Sequence, residues 1–167
     1  MKIRNPKFYI LHFTFCILSG CYSFTGASLP SGIKSIAIPL VTDNSSFAQG
    51  DMRQQLTDKI VQKFTRDGSL SVRDRSVADA LLDVTITSVS DQPIGVRIGE
   101  ELTNKRVTIT VEATYRDQKK QKTFWDKNFQ QTADYPISQG LDGLTTALKN
   151  AEDKLSNDLL LGVISNW

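Results

Sequence analysis

The chain is 167 residues long, with 20 Lys and Arg against 18 Asp and Glu, two cysteines and a single histidine. A net charge of +2 gives no global basic field of the kind that holds nucleic acid. The length suits one domain with a respectable core, and no repeat, low-complexity tract or internal linker divides it.

Met1 to Leu18 comes first and reads as a leader. Lys2, Arg4 and Lys7 make a positive start, and Phe8 to Leu18 is a mostly apolar run. At about eleven residues, that run has the length of a signal-peptide core and is too short to span a bilayer, which takes about twenty. It ends in Leu18-Ser19-Gly20-Cys21, where Ser19 and Gly20 are small enough for a signal peptidase. This ending resembles the bacterial lipobox. The expectation is a signal peptide over residues 1–20, cleaved between Gly20 and Cys21, with diacylglycerol on the Cys21 thiol and an N-acyl chain such as palmitate. Each buried methylene contributes roughly 0.8 kcal/mol, so two or three chains hold firmly where one is marginal.

Cleavage changes what chemistry is left. The leader holds three of the 20 basic residues and none of the 18 acidic ones, so seventeen basic residues then face eighteen acidic. His12 and Cys16 leave as well. With no histidine and one acylated cysteine, disulfide frameworks, Cys/His zinc sites and Cys-His or Ser-His catalysis are excluded. No cofactor or metal is expected beyond the covalent acyl groups.

Residues 21–32, with Gly26, Pro30 and Gly32, read as an extended lipidated tether, and 33–167 as a single domain. Ile33 to Val41 is apolar and β-rich, a first strand with Pro39 at its end or on an edge. After a polar loop, Asp51 to Asp67 predicts a helix. Asp51 and Gln54 suggest a capping box, Met52, Leu56, Ile60 and Phe64 form one stripe, and Gly68 is placed to end it. Leu70 to Arg73 is a short strand or bridge. Strands follow at Ala80 to Ser90, Arg106 to Asp117 and Lys122 to Gln131, the second in strict apolar–polar alternation and the third placing Trp125 and Phe129 on one face. Ser138 to about Ile164 predicts a long amphipathic helix. Leu141, Leu144, Leu148, Ala151, Leu155 and Leu159 face inward, and Asp142, Lys149, Glu152, Asp153 and Asn157 make a solvated side. The order β-α-β-β-β-β-α points to an α+β fold. It is a two-layer sandwich with two helices packed on one face of a mostly antiparallel four- to five-stranded sheet.

The longest irregular stretch, Asp91 to Lys105, is either a functional loop or an extension of the hairpin through Ile94 to Ile98. Gly95 and Gly99 lack the strand-to-helix setting of a phosphate cradle. Glu100 and Glu101 read as solvated rather than as a catalytic pair. Asp74, Asp79 and Asp83 match no calcium loop and read as turn and cap residues. The basic groups form two sets, Arg97, Lys105 and Arg106 by the long loop, and Arg116, Lys119, Lys120, Lys122 and Lys127 by the hairpin turn. A meander puts successive turns at opposite sheet ends, so these are separate patches. Arg97, Lys105, Arg106, Lys119 and Lys120 are the candidate contacts for an anionic lipid, although charged edges that keep the hairpin soluble explain them too.

Several of these residues together resemble the LptE-type lipopolysaccharide-assembly lipoprotein family. They are Cys21, Tyr22-Ser23-Phe24, Leu29-Pro30, Ile33-Lys-Ser-Ile-Ala-Ile-Pro39, the helix from Asp51, Ala78-Asp79-Ala80-Leu81 entering a long strand, and the C-terminal helix. The likeness rests on order and spacing across the whole of 21–167. Members often have Cys-Gly-Tyr-x-Phe where Tyr22 directly follows Cys21 here, a departure confined to the tether. The resemblance implies a non-catalytic lipoprotein that sits within a β-barrel of the lipopolysaccharide-export machine, helps that barrel assemble and assists lipopolysaccharide to the cell surface. Tyr22, rather than aspartate, after the lipidated cysteine implies the outer membrane. Two other readings remain at this stage: an accessory lipoprotein of a secretin or efflux assembly, and an envelope hydrolase with paired carboxylates.

Overall fold

Alternating apolar and polar residues shape the centre of the molecule into three long strands. In the computed structural model, which describes residues 29–47, 51–95 and 103–165, the elements run in a clear order. They are β1 (Ser35–Ala37), β2 (Thr42–Asp43), α1 (Met52–Asp67), β3 (Ser71–Val72), β4 (Ala80–Ile94), β5 (Asn104–Asp117), β6 (Lys122–Pro136), a 3-10 turn (Ile137–Gln139) and α2 (Gly140–Ile164). The sheet order is β3-β1-β4-β5-β6, with β2 also paired to β4. The fold is α+β, as expected, but the sheet has six strands rather than four or five. The meander β4-β5-β6 is antiparallel, whereas β1 lies parallel to both β3 and β4.

The first predicted strand, Ile33 to Val41, is broken into two. Between Ala37 and Thr42 the chain advances five residues while β4, from Leu81 to Thr85, advances four. The extra residue is absorbed around Pro39, which has no N–H to give to a ladder. The later strands run further than expected, β4 to Ile94 and β6 to Pro136, because polar residues continue the pairing once one face is packed. The hairpin extension through Ile94 is therefore the reading that holds for the described part of the long loop.

A bulge between Ile86 and Ser88 re-phases β4. Before it the even residues Ala80, Leu82, Val84 and Ile86 are buried; beyond it Val89 and Asp91 stand opposite Ile109 and Val107. Both helices cover this one face. Met52, Leu56, Ile60 and Phe64 of α1 and Leu144, Leu148, Ala151, Leu155 and Leu159 of α2 join the buried strand residues in a single cluster. Asp51 caps α1 by accepting from the Gln54 backbone at 3.4 Å, and Gly68, at φ 74°, ends it. Gln54 itself donates to Asp58, so only half of the capping box forms.

Two glycines let α2 approach the sheet. A Cβ at Gly143 would stand 2.7 Å from the Tyr135 ring, and one at Gly162 would stand 3.1 Å from Phe129. The inward stripe expected of α2 loses one member, because Leu141 lies beyond the end of the core and is 69% exposed. Among the described residues, no helix is long and apolar enough to cross a membrane.

Candidate functional surfaces

β5 spans 14 residues, so the two ends of the sheet are about 45 Å apart at ~3.4 Å per residue. At one end are the β5–β6 hairpin and the start of β1; at the other are the end of β4, the start of β5 and the first turn of α2. The expected separation of the two basic sets is therefore what the fold contains. Arg97, Gly20 and Cys21 lie outside the described residues.

At the far end Lys105 turns inward. It pairs with Asp91 at 2.8 Å, and Tyr135 donates its hydroxyl to the same carboxylate oxygen at 2.9 Å. The bond from Asp91 holds the Lys105 amine above its ordinary pKa, while the other Asp91 oxygen is buried without a hydrogen-bond partner among the described residues. These groups edge a shallow hollow of about 410 Å³ with Ile137, Leu141 and Leu144. Arg106 points to the opposite sheet face and grips Asp134 with two bonds, at 2.6 and 2.8 Å. That contact holds the Asp134 carboxyl below the usual range.

At the hairpin end Asp79 gathers four donors. Its Oδ2 accepts from Lys34 N and Ser35 N at 3.1 Å each and from Ser35 Oγ at 2.9 Å, and its Oδ1 accepts from Lys119 Nζ. Ser35 Oγ also accepts from the Asp79 N–H at 3.0 Å. The Lys119 bond first, then the backbone of Lys34 and the Ser35 hydroxyl, hold this carboxyl far below the ordinary value. The latch joins the start of β1 to the hairpin, so Asp79 has a structural role. Asp117, buried under the turn, accepts from the backbone N–H groups of Lys119 and Lys120 at 2.8 and 2.9 Å. The Lys120 amine is 4.0 Å from it, on a side chain that is 69% exposed. Asp83 pairs with Arg116 at 3.0 Å. No three of His, Cys, Asp and Glu are grouped as metal ligands among the described residues.

The helix-free face of β5 and β6 is polar between Thr108 and Thr114, whereas on β4 Leu81 is buried on that side with Ala37 and Ala78. Thr108, Thr110 and Thr114 of β5 stand beside Thr132, Gln130 and Asp126 of β6, each pair directly opposite. β6 is the last strand on this side of the sheet, and Lys154 of α2 donates to its Thr132 carbonyl at 2.8 Å.

Glu152 departs from expectation most. Placed on the solvated side of α2 by its polarity, it is 1% exposed, and neither carboxylate oxygen has a hydrogen-bond partner among the described residues. Burial pushes its carboxyl up to about 7, against the pull of Lys59 and Lys149. Lys59 crosses the helix seam to the Lys149 carbonyl at 3.1 Å, and Lys63 pairs with Asp153 at 3.0 Å. The signal was present in the spacing, since Glu152 is four residues after Leu148 and three before Leu155, both on the buried stripe. Polarity hid it.

The family model described as LptE, lipopolysaccharide-assembly, matches residues 33–161, which is most of the chain. The chain belongs to the LptE family. No curated protein matches it. Solved structures share the fold of this LptE-family chain at low identity. A hypothetical protein of Chlamydia trachomatis matches with a TM-score of 0.55 at 8% identity, covering 78% of this chain and 95% of that one. A minor lipoprotein of Acinetobacter baumannii gives 0.54 at 12%, covering 80% and 92%. The PelC dodecamer of Paraburkholderia phytofirmans gives 0.51 at 14%, covering 84% and 95%.

Proposed function

We propose that this LptE-family chain is a non-catalytic lipoprotein of the outer membrane, anchored through acyl chains on Cys21. It partners a β-barrel of the lipopolysaccharide-export machine, occupies that barrel's lumen and assists lipopolysaccharide to the surface. The observation that carries the reading, beside family membership, is the helix-free sheet face. The lumen of such a barrel is polar. The polar side chains of this face from Thr108 to Thr114, about 20 Å of strand, can exchange hydrogen bonds with that wall without burying apolar surface. The titratable groups support a non-catalytic role. Asp79, Asp83, Asp91 and Asp134 are committed to ion pairs, and Glu152 is buried between the helices.

Affinity purification of the lipidated protein from outer membranes, with mass spectrometry of what comes with it, is the test. A large export barrel is the expected partner, and a photo-crosslinker at Gln130 or Thr110 is expected to attach to it. Recovery of a secretin or an efflux channel in its place would overturn the assignment.

A further inference from the structure

The fold separates two roles that the sequence left open for the basic residues. Residues 29–33 reach the domain at the hairpin end, where Ile33 N donates to the Pro30 carbonyl and Lys34 and Ser35 meet Asp79. The same network draws in the crossover before β4. Gln118 Nε2 donates to the carbonyls of Arg75 and Ala78 at 3.1 Å each, and Gln118 N donates to the Asp79 carbonyl at 2.8 Å. One end of the sheet therefore presents Lys34, Arg75, Lys119, Lys120 and Lys122, all exposed. Against them stand Asp74, Asp79, already taken by the latch, and Asp117, buried. Val77, 66% exposed, projects from the same turn. Lys119 belongs to that latch, and Lys105 and Arg106 at the opposite end are likewise each held by a carboxylate.

Leu29 follows Cys21 by eight residue steps, an extended reach of at most about 29 Å. That reach is shorter than the ~45 Å length of the sheet, so the acylated cysteine keeps the hairpin end near the bilayer. We propose that, before it meets its barrel, the protein stands on its own membrane through this end, with Arg75, Lys120 and Lys122 against anionic phospholipid headgroups. The occupant follows from where the chain arrives and from the sign of the exposed charge. Each basic residue near an anionic surface strengthens the contact by about fivefold, and salt weakens it. The inference rests on the Cys21 anchor of the proposed function and does not depend on the barrel.

The test uses the lipidated full-length protein in phosphatidylcholine vesicles, with and without phosphatidylglycerol as about one-third of the lipid. Amide hydrogen exchange is read at 75–78 and 117–122. The expected result is exchange several-fold slower with phosphatidylglycerol, reversed by high salt and by the triple variant Arg75→Glu, Lys120→Glu, Lys122→Glu, which spares the Lys119–Asp79 latch. The Lys105→Glu, Arg106→Glu variant is expected to keep the slowing, with exchange in the buried half of β5 as the control for folding. Flotation separates the failures. A chain that does not float with the vesicles removes the anchor and the proposal with it. One that floats with equal exchange in both lipids overturns the docking alone.

Discussion

Asp79 and Glu152 are both carboxylates that the fold withdraws from water, and it treats them in opposite ways. Asp79 receives four donors at the end of the sheet and is held ionised. Among the described residues Glu152 receives none between the helices, and it is pushed toward its neutral form near pH 7. The difference shows that burial alone does not set the state of an acid; the supply of donors does. Asp79 sits where β1 begins and backbone N–H groups are free to turn toward it. Glu152 sits in the middle of a helix, where backbone donors are already engaged in the helix itself.

The largest expected effect comes from breaking the satisfied member. Asp79→Ala removes the acceptor of four bonds and leaves the N–H groups of Lys34 and Ser35 without their partner. A loss of about 3–4 kcal/mol is expected in urea unfolding, with β1 the first element to gain exchange. Lys119→Ala, which removes only the exposed amine, should cost less than about 1 kcal/mol.

The orphaned member sets a pH dependence of the opposite sign. The folded pKa of Glu152, about 7, lies above its ordinary 4.5, so the folded state holds a proton that the unfolded chain releases. Stability therefore falls as pH rises from about 4.5 to about 7, by roughly 3 kcal/mol, and is level above that. Asp79 acts the other way, its contribution present above its ordinary value and lost as pH falls below it. Glu152→Gln should flatten the limb between pH 4.5 and 7, read as urea midpoints across pH. An unchanged slope would show that Glu152 is not its source. Glu152→Leu, which removes the unpaired oxygens at similar volume, should stabilise the fold at pH 8 by about 2 kcal/mol.

Asp51 and Asp134 calibrate the range between these extremes. Asp51→Ala loses a single helix cap and should cost about 1 kcal/mol. Asp134→Ala breaks two short bonds to Arg106, yet both side chains are 45% exposed, so less than about 1 kcal/mol is expected. A large effect at Asp134 would show that bond number outweighs burial on this sheet face.

Local pattern made much of this molecule legible. The α1 stripe, its Asp51 and Gly68 ends, the alternation of β5 and the length of α2 follow from periodicity, and packing the two apolar helices on one sheet face follows from them. The parallel pairing of β1 with β4 did not, because its partners are more than forty residues apart and a strand three residues long carries little pattern. The bulge at Ile86–Ser88 turned Asp91 toward the core and with it the Lys105 ion pair, a one-residue change of phase that composition does not announce. Glu152 was missed because a polar residue on the edge of an apolar stripe reads as solvent-facing until the neighbouring helix is placed.

The position of β1 bears on how the chain reaches its native state. The long strands and α2 are consecutive in sequence and can form from neighbours, whereas β1 lies between β3 and β4, both of which come later in the chain. In the export route of the proposed function, the segment that emerges first is one whose strand partners, β3 and β4, come later in the chain. Until β3 and β4 have formed, Ile33 to Val41 is an apolar ribbon without its strand partners, the kind of segment that invites non-native pairing.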